Sequence, residues 1–81
     1  MAADYDQAIG STLRTLRRTH GLTQFDVAQM LHTQQAFVSK TEEGNRSLRL
    51  EEAVLYAMGL SMNPAELYEE LSSAMHEAEA T

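Results

Sequence analysis

The 81-residue sequence predicts an all-α fold of five helices. Three observations carry this: apolar residues recur at steps of three and four along the chain, glycine and proline number only four and one, and no repeat or low-complexity tract interrupts the pattern. In the first segment Tyr5, Ile9, Leu13 and Leu16 form one stripe, and Gly21 supplies a stop after Arg17, Arg18 and His20, giving a helix over about residues 4–20. Thr23 is a good N-cap with Asp26 three residues on, opening a second helix of about eight residues whose Val27, Ala28 and Leu31 share a face. His32, Thr33 and Gln34 make a tight connection. Gln35 to Glu43 then forms a third helix with Val38 inward, ended by Gly44. After a loop from Asn45 to Arg49, the residues Leu50, Ala53, Val54, Ala57 and Leu60 place a fourth helix, with Glu51 and Glu52 in the first turn, where the helix dipole favours them. Asn63-Pro64-Ala65-Glu66 combines a cap, a proline at the first helical position and an acid. It starts a fifth helix carrying Leu67, Tyr68, Leu71 and Met75.

Length bounds the organisation. A chain of 81 residues supports one hydrophobic core, so residues 1–81 are expected to form one domain, with a core over about 5–72 and a frayed acidic tail over about 76–81. With no cysteine, disulfides and cysteine metal sites are excluded, and efficient packing or oligomerisation must supply the stability. The longest apolar run, Ala53 to Leu60, is far below the roughly 18 residues of a membrane span. The start Met1-Ala2-Ala3-Asp4 does not resemble a secretory signal, so a cytoplasmic protein is expected.

The net charge of −6 would argue against a nucleic-acid partner, but it is unevenly distributed. Residues 10–50 hold all six cations (Arg14, Arg17, Arg18, Lys40, Arg46, Arg49) and only Asp26, Glu42 and Glu43 as acids, for a local +3 against −9 elsewhere. With a Debye length of about 8 Å at physiological salt, the acids on the far side are largely screened from a ligand on the basic side. Charge alone equally fits an acidic helical domain whose cations pair with nearby acids.

Two short helices joined by a tight turn and backed by core helices form a helix-turn-helix, whose second helix enters the DNA major groove. Nine residues of helix span roughly 13–14 Å and fit a groove about 12 Å wide. Gln34, Gln35, Ser39 and Lys40 lie outside the Val38 face; glutamine pairs with adenine N6 and N7, lysine with guanine O6 and N7.

The order and spacing of Gly21-Leu22-Thr23-Gln24, Val27-Ala28, Leu31, Gln35, Val38-Ser39-Lys40, Glu42, Gly44 and Arg46, followed by Leu50 to Leu60, resemble the Cro/C1-type (XRE family) helix-turn-helix domain of phage repressors and bacterial regulators, over roughly residues 8–71. The resemblance implies a compact five-helix, lambda-repressor-like domain. It implies base readout by Gln34, Gln35, Ala36, Ser39 and Lys40, phosphate contacts from Thr23, Gln24, Phe37, Asn45 and Arg46, and an internal ion pair between Arg17 and Glu42. The chain departs from the family pattern at several places. His32 replaces the usual turn glycine, Thr41 replaces a large apolar residue, Gln34 and Arg49 stand where good N-caps are common, and Glu43 adds an acid near the backbone region.

Leu67, Tyr68, Leu71 and Met75 either finish the core or form part of a two-fold interface, and the small size favours a homodimer. Phe25 and Phe37 fit packing as well as a surface role. His20, His32 and His76 are scattered without ligand spacing, and the glycines make no phosphate loop, so neither an enzyme nor a metal or other cofactor is expected. The sequence therefore predicts a dimeric regulator of double-stranded DNA. The alternative is an interaction module or antitoxin-type partner that keeps the fold and docks a protein on its acidic C-terminal face.

Overall fold

In the computed structural model, which describes residues 4–80, α1 runs from Tyr5 to Thr19, α2 from Gln24 to Met30, α3 from Gln35 to Glu42, α4 from Leu50 to Gly59 and α5 from Pro64 to Ala80. Met1 to Ala3, the stretch read against a secretory signal, and Thr81 at the end of the tail lie outside the described residues.

Local chemistry explains the boundaries. The Asp4 carboxylate accepts the Gln7 N–H at 3.0 Å, capping α1. Thr23 and Asp26 satisfy each other's backbone N–H groups at the start of α2, at 3.0 and 2.9 Å. Gln34 gives α3 no side-chain cap. At α4 the weak capping residue Arg49 is compensated, because Glu52 reaches back to accept its N–H at 2.7 Å. Asn63 accepts from Ala65, and Glu66 accepts from Asn63, which fixes the start of α5. α5 is helical through Ala80, over residues 76–80 of the acidic tail. Alanine and glutamate are strong helix formers, and the helix packs along α1.

Four of the helices end alike. Gly21, His32, Gly44 and Ser61 each take a positive φ, of 70°, 56°, 80° and 55°, and the next residue's N–H bonds back to a carbonyl five residues earlier, as in Leu22 to Arg17 and Thr33 to Ala28. Two of these left-handed positions lack glycine.

The core gathers Leu13 from α1, Val27 and Ala28 from α2, Val38 from α3, Tyr56 and Ala57 from α4, and Leu67 and Leu71 from α5. Complete burial of a leucine such as Leu13 stabilises by about 1.5–3 kcal/mol. The apolar residues that place α4 in the sequence divide between two sides of the helix. Tyr56, Ala57 and Leu60 are buried, whereas Leu50 is 81% exposed and Val54 is also exposed. The run Ala53 to Leu60 is apolar around the whole helix, so periodicity could not choose a side, and the Tyr56 ring decides it by filling the centre. α3 packs on α1 and α2, and α5 on α1 and α4, which leaves the outer side of α3 uncovered by the acidic fifth helix.

One contact sets the distance between α1 and α3. A Cβ at Gly10 would fall against the backbone carbonyl oxygens of Thr41 and Glu42, so the two helices touch backbone to backbone. This close approach delivers Glu42 to α1.

Candidate nucleic-acid interface

α3 buries Val38, Thr41 and Glu42 and presents Gln35, Ala36 and Lys40 to solvent, with Gln34 exposed at its start and Ser39 half-buried beside them. The five side chains expected to face bases therefore lie on the outer side of one helix and its N-cap.

Beneath them sits Glu42, fully buried at its side chain. Arg17 donates Nε to Oε2 at 2.6 Å and Nη2 to Oε1 at 3.0 Å, and its Nη1 donates to the Leu22 carbonyl at 2.9 Å. Arg14 adds Nε to Oε1 at 3.3 Å, and Gln24 adds Nε2 to Oε1 at 3.1 Å. Burial alone would push the Glu42 carboxyl up. The hydrogen bonds from Arg17, Gln24 and Arg14, with the Arg17 charge, outweigh it and hold the group below the ordinary carboxylate range.

Glu42 also orders the surface. An ionised carboxylate only accepts, so Gln24 must turn its NH₂ toward it and its oxygen away. That oxygen accepts Nε2 of Gln35 at 3.4 Å. Gln35 is left with its own oxygen and its second N–H for an external group, the acceptor and donor that an adenine edge requires. Gln24, expected on phosphate, here bonds Glu42 and Gln35.

Arg46, expected on phosphate, spends its guanidinium inside the chain. It lies over the Phe37 ring at 3.8 Å from the centroid, donates to Thr41 Oγ1 at 3.2 Å, and grips Glu52 through Nη1 and Nη2 at 3.0 and 3.1 Å. Its charge is matched by Glu52, so it ties α3 to α4. Thr41 is useful here because its buried hydroxyl accepts this bond, which the usual apolar residue could not do. Phe37, another expected phosphate contact, is half-buried between Arg46 and the core. The Thr23 hydroxyl is used by its cap, and Asn45 lies exposed with its amide 3.4 Å from Glu43. The Lys40 side chain has no ion-pair or hydrogen-bond partner among the described residues.

Sequence reasoning missed Arg14, Glu52 and Tyr56. A charged residue three positions before Arg17 on the same helix face was the only signal for Arg14. The Arg46–Glu52 pair crosses a loop and leaves no periodic trace. The Tyr56 hydroxyl is buried without a hydrogen-bond partner, and burial next to Glu42 and Glu52 pushes its pKa up.

The residues expected at a dimer interface divide. Leu67, 1% exposed, belongs to the protomer's own core, and Leu71 is also buried there, because both face α1 and α4. Tyr68 is 68% exposed and Met75 half-buried. Leu50, Val54 and Tyr68 line one apolar depression between α4 and α5.

A short exposed polar helix, held after a tight left-handed turn on a second helix, defines a helix-turn-helix domain. The family model described as a helix-turn-helix domain matches residues 8–71. The restriction-modification controller protein C.AhdI from Aeromonas hydrophila is similar in structure, with 31% identity, a TM-score of 0.70, and coverage of 75% of this chain and 92% of that one. The clp gene regulator ClgR from Corynebacterium glutamicum shares the fold at 22% identity and a TM-score of 0.82, over 94% of this chain and 81% of that one. No curated protein matches the chain. The chain belongs to the helix-turn-helix family, in its Cro/C1-type (XRE-like) branch.

Proposed function

We propose that the protein is a sequence-specific regulator of transcription that binds double-stranded DNA through α3. The observation carrying this reading is the exposed Gln35 amide, which donates one N–H to a Gln24 that Glu42 orients and keeps its own oxygen and second N–H for an external group. The other exposed residues of α3, with Gln34 and Ser39, complete the base-reading surface, and Lys40 supplies an uncompensated positive charge. Similarity to a controller protein and a gene regulator supports the same reading.

The test is fluorescence anisotropy with pooled random-sequence duplex at about 50 mM salt, followed by selection of the preferred site. Saturable binding and an enriched motif are expected. Gln35→Ala should then cost about 1–3 kcal/mol on the selected site and relax choice at one base pair, measured by repeating the selection. Absence of binding at this salt would favour the protein-interaction module.

The working form is a homodimer on two half-sites about 34 Å apart. Leu50, Val54, Met58 and Tyr68 leave α4 and α5 with an exposed apolar surface that a second copy would cover, and α4 is apolar around its circumference from Ala53 onward. This surface replaces Leu67 and Leu71 as the centre of the interface. Leu50→Glu combined with Tyr68→Glu should leave a folded monomer by sedimentation velocity, with duplex affinity reduced at least tenfold (about 1.4 kcal/mol). A dimer that survives both charges would place the interface elsewhere.

A further inference from the structure

We propose that His32, at the turn between α2 and α3, is a DNA-contacting residue whose imidazole donates to a backbone phosphate. This deepens the DNA-binding reading and rests on it. His32 adopts φ 56°, a conformation that glycine takes without penalty and that costs a side-chain-bearing residue of this kind about 1 kcal/mol or more. The chain does use glycine at two equivalent helix ends, Gly21 and Gly44. At His32 it keeps an exposed imidazole that has no hydrogen-bond partner among the described residues.

Position supplies the second argument. His32 lines a shallow concavity along α3 together with Thr33, Gln34, Lys40, Asn45 and Arg46, and no carboxylate is among its lining residues, although the chain carries a net −6. Lys40 and the hydroxyl and amide groups make this an anion-accepting surface, beside the side chains that face bases. An imidazole presents at least one N–H in either protonation state, so a phosphate oxygen finds a donor there. The strained side chain is thus placed where it adds a contact that glycine would lack. Ser61, the other non-glycine residue in this conformation, sits between α4 and α5, outside the concavity, and serves as the control.

The experiment measures thermal stability and binding to pooled random-sequence duplex for the unaltered protein and for His32→Gly, His32→Ala, His32→Asn and Ser61→Gly. His32→Gly should raise Tm by a few degrees while weakening duplex binding about three- to tenfold, to the same extent on pooled DNA and on the selected site. His32→Ala, which lacks the donor but not the Cβ, should bind as weakly. His32→Asn, which tolerates the left-handed turn and retains an N–H donor, should stay within about twofold of the unaltered protein. Ser61→Gly should gain stability with binding unchanged. A His32→Gly or His32→Ala protein that binds as tightly as the unaltered one overturns the contact and leaves the DNA-binding reading standing. Failure of the unaltered protein to bind any duplex overturns both.

Discussion

Replacing Glu42 with alanine should lower the unfolding free energy by about 3–5 kcal/mol, the usual cost of removing one partner from a buried ion pair. Arg17 is left nearly buried with its charge uncompensated, and Arg14 and Gln24 lose their common acceptor. At about 4–8 °C of Tm per kcal/mol for a domain of this size, thermal melts will show it plainly. Replacing both partners, Arg17→Met with Glu42→Leu, should restore most of the loss, because no charge then remains in the interior. If the single variant melts with the unaltered protein, the pair contributes little; if the double variant melts as low as the single one, the stranded Arg17 charge is not the cause of the loss. The pH dependence has a definite sign. Glu42, Glu52 and Asp26 all have folded-state pKa values below their ordinary ones, so their contribution is complete above the unfolded carboxylate pKa of about 4 and disappears as pH falls through the lower folded values. The unaltered protein should therefore destabilise from about pH 4 downward, and the Glu42→Ala protein less steeply, since one of the three linked protons is gone.

Gly10→Ala should be comparably damaging, by about 3 kcal/mol or more, at the upper end of overpacking costs. Most added methyl groups are accommodated by neighbouring side chains. Here the obstacles are the carbonyl oxygens of Thr41 and Glu42, backbone atoms that can retreat only if α3 moves as a unit and draws Glu42 away from Arg17. Gly21→Ala is the comparison. It has open space around the new methyl and only the left-handed backbone to resist it, at about 1 kcal/mol. Urea unfolding of the two variants should separate them by their midpoints. Equal midpoints would mean that α1 and α3 have slack between them.

The helices were legible because their ends are chemical: Thr23 with Asp26, Asn63 with Pro64 and Glu66, and Gly21 and Gly44 each act on the backbone within a few residues. The outward set on α3 was legible because one buried valine fixes the helix's rotation. Pairing of Arg17 with Glu42 came from family resemblance, as a separation of 25 residues carries no local signal. What escaped reading depends on tertiary approach. Gly10 looks like an ordinary helix weakener until α3 arrives against it. Arg46 looks like a free cation until Glu52 and Phe37 close around it. The outer stripe of Leu50, Val54 and Met58 could not be told from the inner one in a helix apolar on all sides from Ala53 onward.

The relay from Glu42 through Gln24 to Gln35 carries a consequence for how preference could evolve. Neither amide is free to choose which end it shows the outside, because a fixed negative charge two links away has already chosen. Neutralising that anion would let both amides rotate by half a turn, blurring the choice between bases while every atom at the surface kept its identity. On the proposed reading, part of the recognition code is thus written in a side chain that no nucleotide would ever meet.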